Sequence, residues 1–190
     1  MAGRCLERTG ALLALIRDLL EITRRDAGHK ERRIEAIDLS DVVAALVEFH
    51  GPEAVRRKLA IEVARDPALR PALVDRREME QVVGNLLSNA IKYTEAGGQV
   101  IVATSLEENG EVVLRIRDTG VGMSEKDLET AMKPFRQVGV MRDRGEGTGL
   151  GLPLTKALVE ANRATFTITS APDQGTLVKI TFPTTRVLAG

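Results

Sequence analysis

Tryptophan is absent from this sequence of 190 residues, and aromatic residues together make up only 3% of it. Proteins that bind single-stranded nucleic acid stack the bases on aromatic side chains, so this composition argues against that class. Neither sign of charge is in excess, because 27 Lys and Arg balance 27 Asp and Glu. A chain without a net field shows no preference for nucleic acid or a membrane surface, and we expect neither as a partner.

Cysteine and long hydrophobic runs are also scarce. The single cysteine, Cys5, cannot form an intramolecular disulfide and is typical of a reducing compartment. Apolar runs such as ALLALI at 11–16 are too short to cross a bilayer, and no signal peptide is recognisable. We therefore expect a soluble, cytoplasmic chain of one or two domains, which leaves open a membrane anchor elsewhere in a full-length protein.

Hydrophobic spacing predicts several helices. Residues 4–26 carry apolar side chains at three- and four-residue steps, and their wide stripe is typical of a helix within a bundle. Asp38 or Ser40 is expected to cap a second helix, which is interrupted or bent near Gly51-Pro52. Further helices are predicted at 76–94, from Ser124, and at 151–162.

Short strands alternate with these helices. Candidates lie at 61–66 and 72–75, and two longer strands flank the turn ENG, which is typical of a hairpin. Two more strands, TFTITSA and TLVKITFP, flank the turn PDQG near the end of the chain. Hairpin-paired strands with packed helices indicate the α+β class and a two-layer α/β sandwich.

A glycine-rich loop opens the last predicted helix. The stretch RDRGEGTGLGLPLTKALVE (142–160) has glycines at four alternate positions, and free N–H groups at a helix start favour a phosphate. A Walker A loop is excluded because Gly151 is followed by Leu152 and Pro153, not by Lys and Ser or Thr. A dinucleotide fingerprint is excluded because the polar segment before the glycines does not read as a strand. The plain alternative is a flexible surface loop.

Two further segments carry groups that suit a nucleotide. Asn85, Asn89 and Lys92 are spaced to share one helix face, where amide oxygens suit magnesium and a lysine suits phosphate. In the segment RDTGVGM, Asp118 ends a strand, and its carboxylate can accept a hydrogen bond from an exocyclic amine such as that of adenine. The glycines that follow, Gly120 and Gly122, allow the backbone to close over a flat group. Phe135, in KPFRQV, precedes a polar, arginine-bearing stretch.

Five segments between residues 75 and 183 resemble, in order, the catalytic ATP-binding domain of sensor histidine kinases. That domain belongs to a wider group that includes gyrase, a heat-shock chaperone and mismatch-repair ATPases. NLLSNAIKYT resembles the family's asparagine box, DTGVGM its first glycine box, KPF its phenylalanine box, GEGTGLGL its second glycine box and QGTLVKITFP its closing segment. GLPLTKALVEANRA is similar to PAS-linked kinases of alphaproteobacteria. The resemblance implies a Bergerat-type ATP-binding fold, a mixed five-stranded sheet with three helices, preceded here by one long N-terminal helix.

The same resemblance implies roles for individual residues. Asn89 becomes the magnesium ligand, and Asp118 the group that reads the adenine amine. Asn85 stands where related ATPases keep a glutamate that activates water, a task for which an amide has no useful basicity. The implied catalytic residues are Asn85, Lys92, Arg142 and Arg144. The implied nucleotide-binding residues are Asn85, Asn89, Lys92, Tyr93, Asp118, Gly120, Gly122, Met123, Phe135, Gly145, Gly147, Thr148, Gly149, Leu150, Gly151 and Thr176.

Some of these residues have plainer interpretations. Tyr93 equally suits core packing, and Phe135 suits a structural role at the base of a lid that spans about 137–146. Arg142 and Arg144 steady the γ-phosphate in one interpretation and are ordinary solvated charges in the other. Thr176 is expected to reach the base through a water.

The phosphoacceptor is missing from the motifs. The family phosphorylates a histidine within H-E-x-x-x-P, and neither His29 nor His50 has that context. Helix 4–26 instead resembles the second helix of the family's dimerisation hairpin. We therefore expect that hairpin helix at 1–28, a linker at 29–37 and the catalytic domain at 38–186, in a fragment that lacks the first hairpin helix.

These expectations combine into a protein-histidine kinase fragment that uses ATP and Mg²⁺. It transfers the γ-phosphoryl group to a histidine outside this chain, for relay to an aspartate of a response-regulator receiver domain. Through the hairpin helices, the full-length protein is expected to be a homodimer. The alternative is a nucleotide-binding docking or regulatory module without phosphoryl transfer of its own. A serine kinase of the anti-sigma-factor type on the same fold is a third, less favoured possibility.

Overall fold

The computed structural model describes residues 32–138 and 148–188. The predicted helix at 4–26, His29, and four of the predicted site residues (Arg142, Arg144, Gly145 and Gly147) lie outside the described residues. The described helices are α1 (Leu39–Arg56), α2 (Arg76–Tyr93), α3 (Glu125–Ala131) and α4 (Gly151–Ala161), with a short 3-10 helix at Thr184–Arg186. The described strands are β1 (Ile34–Ile37), β2 (Ala60–Arg65), β3 (Ala72–Asp75), β4 (Gln99–Leu106), β5 (Val112–Asp118), β6 (Thr165–Ser170) and β7 (Thr176–Phe182).

The chain divides into two compact units. The larger unit comprises residues 33–125 and 155–190, and it contains both β-sheets with helices α1 and α2. The smaller unit comprises residues 1–32 and 126–154, of which 126–138 and 148–154 are described together with Arg32. None of the described helices combines the length and the hydrophobicity that a membrane crossing requires.

A five-stranded mixed sheet forms the centre of the larger unit. Its strand order is β2-β4-β5-β7-β6, with β2 parallel to β4 and every other pair antiparallel. The predicted hairpin around the turn ENG is confirmed as β4 and β5, in a register that pairs Val100 with Asp118. The two C-terminal strands also pair as predicted. Asp118 therefore lies at the end of a central strand.

Helix α2 follows the amphipathic pattern of its sequence. Its buried stripe consists of Met79, Val82, Val83, Leu86, Leu87, Ala90 and Ile91. Asp75 caps the helix start, because its Oδ1 accepts a hydrogen bond from the backbone N–H of Glu78 at 3.1 Å. Asn85, Asn89 and Lys92 fall outside the buried stripe and are half-buried. The predicted polar face is thus confirmed.

Strand β1 was not expected from the sequence, which suggested a linker at 29–37. Residues 34–37 instead pair antiparallel with β3 in a separate two-stranded sheet, in a register that places Ile34 opposite Asp75. The carboxylate of Asp75 also accepts a hydrogen bond from the backbone N–H of Arg33 at 2.9 Å, in addition to capping α2. A four-residue strand depends on this distant partner, which the local sequence does not reveal.

Helix α1 is uninterrupted, whereas the sequence predicted an interruption or a bend near Gly51-Pro52. It runs from Leu39 to Arg56 with Pro52 inside it, and Asp38 caps its start by accepting from the backbone N–H of Ser40 at 2.9 Å. Proline lacks the N–H that would bond to the carbonyl four residues earlier, that of Glu48. Glu48 is exposed, so water can satisfy that carbonyl and the helix can continue.

Candidate functional site

The polar face of α2 carries the predicted amides and lysine. The side-chain Nδ2 of Asn85 donates to the hydroxyl of Thr155 at 3.5 Å, the long limit of a hydrogen bond. Because the amide nitrogen is turned towards Thr155, the Oδ1 atom of Asn85 is available to a ligand. The Nζ atom of Lys92 lies 5.2 Å from the centroid of the Tyr93 ring, within cation–π range.

Asp118, at the end of β5, is one of two buried carboxylates described in the larger unit, and Asp75 at the start of α2 is the other. Its Oδ1 atom accepts two backbone hydrogen bonds, from Gly120 N at 2.9 Å and from Thr176 N at 3.1 Å. Both of these bonds go to the same oxygen. They fix the orientation of the carboxyl group, and Oδ2 is left as an acceptor for a ligand.

Burial also shifts the pKa of this carboxyl group. Loss of solvent raises the pKa of Asp118 above its ordinary value of 3.8, and the N–H groups of Gly120 and Thr176 partly oppose that rise. A hydrogen-bond acceptor whose charged form is destabilised by burial is typical of a binding site.

The loop after Asp118 lies against the C-terminal end of α2. The backbone N–H of Val121 donates to the carbonyl of Tyr93 at 3.2 Å. A side chain at Gly120 would collide with that same carbonyl, so only glycine permits the approach. The structure therefore brings together three of the predicted site residues, Tyr93, Asp118 and Gly120.

The other side of this loop contacts the β6–β7 hairpin. A Cβ atom on Gly122, which has φ of +62°, would collide with the carbonyl of Ala171. The backbone N–H of Met123 donates to the hydroxyl of Ser170 at 2.8 Å, and the N–H of Asp173 donates to the carbonyl of Val121 at 2.8 Å. The loop 119–123 is thus held between α2 and the hairpin turn.

Thr176 makes a backbone contact that was not predicted. Its backbone N–H, not its hydroxyl, binds Asp118, while its hydroxyl lies 2.9 Å from the hydroxyl of Ser170. A water-mediated contact from the hydroxyl to the base stays a prediction.

In the smaller unit, the remaining described site residues lie in two segments, Phe135 in one and residues 148–151 at the start of α4 in the other. The backbone N–H of Phe135 donates to the carbonyl of Gly149 at 3.0 Å, whereas the Phe135 side chain is 58% exposed. The hydroxyl of Thr148 accepts from the N–H of Leu150 at 3.2 Å, and Leu150 is buried. Gly151 is the first residue of α4, as the glycine-loop interpretation predicted.

Three polar residues of the larger unit were missed from the sequence. Ser170 and Thr155 contact predicted site residues, and the buried Asn162 binds both the N–H of Asp75 and the carboxylate of Glu78. No local pattern marks them, because each acts on a segment between 47 and 87 positions away.

A metal ion on α2 would depend on amide oxygens. Among residues 32–138 and 148–188, no group of three His, Cys, Asp or Glu side chains is arranged to hold a metal. Asn85 and Asn89 are hard oxygen donors that suit magnesium, whose remaining positions are commonly filled by waters and phosphate oxygens. The residues present therefore fit a magnesium–phosphate ligand.

This chain is similar to one known protein family and to curated relatives. The family model of the histidine kinase-, DNA gyrase B- and HSP90-like ATPases matches residues 74–186. The cell-division control histidine kinase PdhS of Brucella canis is 48% identical over 196 residues, as is PdhS of Brucella abortus strain S19. These matches cover 98% of this chain and 19% of each relative, so the chain spans about a fifth of their length.

Solved structures of histidine kinases share the fold. Full-length ShkA, solved in complex with AMPPNP, has a TM-score of 0.81 at 26% identity, covering 98% of this chain and 39% of ShkA. AdeS of Acinetobacter baumannii has a TM-score of 0.76 at 24% identity, covering 94% of this chain and 81% of AdeS. The catalytic domain of ThkA has a TM-score of 0.69 at 18% identity, covering 80% and 98%. These similarities confirm the predicted α+β fold.

Proposed function

Because the chain belongs to the family of histidine kinase-, DNA gyrase B- and HSP90-like ATPases, we propose that it is the catalytic, ATP-binding part of a sensor histidine kinase. It binds ATP with magnesium and transfers the γ-phosphoryl group to a histidine outside this chain. The observation that carries the proposal is the buried carboxylate of Asp118, whose Oδ1 is held by two backbone N–H groups while Oδ2 is left for a ligand.

The larger unit supplies the adenine site in this proposal. The exocyclic amine of adenine donates to Oδ2 of Asp118, in an environment where burial strengthens the hydrogen bond. The Tyr93 ring lies against the purine, as the family resemblance implies, and the carbonyl of the same residue accepts a hydrogen bond from the loop 119–123. Gly120 and Gly122 shape the floor of the pocket and Met123 contacts the nucleotide, in a loop that is fixed to the β6–β7 hairpin.

The polar face of α2 serves the phosphates. The amide oxygen of Asn89 is a ligand for magnesium. Lys92, three residues further along the helix, neutralises phosphate charge. When bound, magnesium supplies positive charge to the phosphate oxygens. The family resemblance also gives Thr148, Gly149, Leu150 and Gly151 a role in binding phosphate, and the backbone N–H of Phe135 supports this loop through its bond to the carbonyl of Gly149. Arg142, Arg144, Gly145 and Gly147, outside the described residues, are proposed to contact the phosphates as the family resemblance implies.

Asn85 favours phosphoryl transfer to a protein over hydrolysis of ATP. An amide cannot remove a proton from water at neutral pH, so Asn85 does not generate an attacking hydroxide. The amide can still orient a ligand through Oδ1, because its nitrogen is held by Thr155. A site of this kind retains ATP until a better nucleophile, the imidazole of a histidine, is delivered. The site then contributes by positioning the γ-phosphoryl group and stabilising its charge.

The acceptor and the partners follow from the same proposal. Neither His29 nor His50 lies in an H-E-x-x-x-P sequence, so the acceptor is assigned to a helical hairpin outside this chain. From that histidine the phosphoryl group passes to an aspartate of a response-regulator receiver domain. In the full-length protein, the hairpin helices are proposed to form a homodimer, as the family resemblance implies.

A phosphotransfer assay tests this function. The chain is incubated with magnesium and ATP labelled in the γ-phosphate, together with a separate helical hairpin that carries the H-E-x-x-x-P sequence. We expect an acid-labile, alkali-stable label on the hairpin, as phosphohistidine requires. Asn89→Ala should remove the label, whereas Asn109→Ala, in the exposed β4–β5 turn, should retain it. Binding of magnesium–ATP without any label on the hairpin would contradict the kinase and favour the docking module.

A further inference from the structure

The hydroxyl of Ser170 joins three segments around the adenine site. Ser170 is the last residue of β6, and its Oγ lies 2.8 Å from the backbone N of Met123 in the loop after Asp118. The same atom lies 2.9 Å from the carbonyl oxygen of Gly175 and 2.9 Å from the hydroxyl of Thr176. These partners belong to the loop, the hairpin turn and the first residue of β7.

All three contacts can exist together. A serine hydroxyl has one proton to donate and two lone pairs that accept. It accepts from the N–H of Met123, donates its proton to the carbonyl of Gly175, and accepts from the hydroxyl of Thr176. Its capacity is then used entirely within the protein, so Ser170 itself does not contact a ligand.

Two of the tethered segments supply the hydrogen bonds that orient Asp118. Gly120 lies in the loop that Ser170 holds through Met123, and Thr176 lies at the start of the strand that Ser170 holds. Both donate to Oδ1 of Asp118, at 2.9 and 3.1 Å. Glycine at 175 permits the close approach, because a Cβ there would collide with the carbonyl of Asp118.

We propose that Ser170 is a positioning residue for nucleotide selection, which fixes the Asp118 carboxylate by tying the loop 119–123 to the start of β7. The inference rests on the proposed function, because it assumes that Asp118 reads the base. Loss of the hydroxyl frees the two N–H donors to move, and Oδ2 loses its fixed direction.

A series of variants at position 170 tests this role in the full chain. Ser170→Thr keeps the hydroxyl, and Ser170→Cys replaces it with a thiol, which is only a weak acceptor. Ser170→Ala removes the polar group altogether. We expect affinity for a non-hydrolysable ATP analogue, measured by calorimetry with magnesium, to fall in that order. The alanine variant should bind about three- to tenfold more weakly than the wild type. Thr169→Ala, at the exposed neighbouring position, is the matched control and should bind as the wild type does.

A second readout separates positioning from general loss of structure. The pKa of the Asp118 carboxyl, followed by carbon NMR of the nucleotide-free protein, should rise further in Ser170→Ala, because the two N–H bonds that lower it are loosened. If the alanine variant is not folded at the assay temperature, Ser170→Cys takes its place. A folded variant without the hydroxyl that keeps both the wild-type affinity and the wild-type pKa of Asp118 would overturn the inference. Failure of the wild type itself to bind the analogue would instead overturn the proposed function.

Discussion

The substitution Asp118→Asn should separate nucleotide binding from stability, with opposite effects on the two. Asparagine keeps an oxygen that accepts from the N–H groups of Gly120 and Thr176, which lie 2.9 and 3.1 Å from Oδ1. The other carboxylate oxygen becomes an NH₂ donor. An exocyclic amine is also a donor, so the two groups then oppose each other.

The loss of affinity can be worked out from the removed hydrogen bond. A hydrogen bond to a charged group contributes about 1.5–3 kcal/mol. Since every 1.4 kcal/mol corresponds to a factor of ten, we expect ATP to bind Asp118→Asn about 10- to 150-fold more weakly.

The effect on stability has the reverse sign. Burial raises the pKa of Asp118, so the folded protein binds this proton more tightly than the unfolded chain does. Its stabilising contribution is present below the unfolded pKa of 3.8 and is lost as the pH rises through the folded pKa. At pH 7 the buried carboxylate is therefore a cost, which neutral asparagine removes. Asp118→Asn should melt at or above the wild-type temperature at pH 7, and the advantage should shrink towards pH 4.

Displacement of a fluorescent ATP analogue measures the affinity, and thermal unfolding at several pH values measures the stability. Asp41→Asn, at an exposed position in the first turn of α1, is the matched control and should leave the affinity unchanged. The reasoning is refuted if Asp118→Asn binds ATP as tightly as the wild type, or if it melts well below the wild type at pH 7.

Three further substitutions test the structure around the site. Asn162→Ala should lower the free energy of unfolding in urea by about 2–4 kcal/mol, because it leaves the buried N–H of Asp75 without its acceptor; a loss below about 0.5 kcal/mol would contradict this. Gly175→Ala should lower the free energy of unfolding by at least about 2 kcal/mol and weaken nucleotide binding, because φ is +75° and the new Cβ meets the carbonyl of Asp118. A variant that unfolds and binds as the wild type does would show that the turn is not as tight as described. Burial lowers the pKa of His50 below 6.5, so its contribution to stability is present above pH 6.5 and is lost as the pH falls through the folded pKa. His50→Gln should accordingly lose less melting temperature between pH 7.5 and 5.5 than the wild type, and an equal loss would exclude this role.

Features that depend on neighbouring residues could be predicted from the sequence. The three- and four-residue spacing of apolar side chains in 76–94 predicted helix α2 and its polar face with Asn85 and Asn89. The turn ENG between two alternating runs predicted the β4–β5 hairpin, which determines the position of Asp118. Both patterns reflect local geometry, which the chain specifies within a few residues.

Features that depend on distant partners could not be predicted. Strand β1 exists because residues 34–37 pair with β3, and nothing within those four residues distinguishes them from a linker. Ser170 looks like one more polar residue of an exposed strand until the loop of Met123 is placed beside it. Gly51-Pro52 predicted an interruption or a bend, yet α1 continues through Pro52, because packing of the helix outweighs the single hydrogen bond that proline removes.

The central claim is that this chain binds ATP through magnesium and the buried carboxylate, and one measurement tests it most directly. A non-hydrolysable ATP analogue is titrated calorimetrically into the full chain, with and without magnesium. We predict one nucleotide per chain at micromolar affinity, about −8 kcal/mol, tighter with magnesium than without it. The gain from magnesium should disappear in Asn89→Ala. A folded wild-type chain that binds no analogue under either condition would contradict the account.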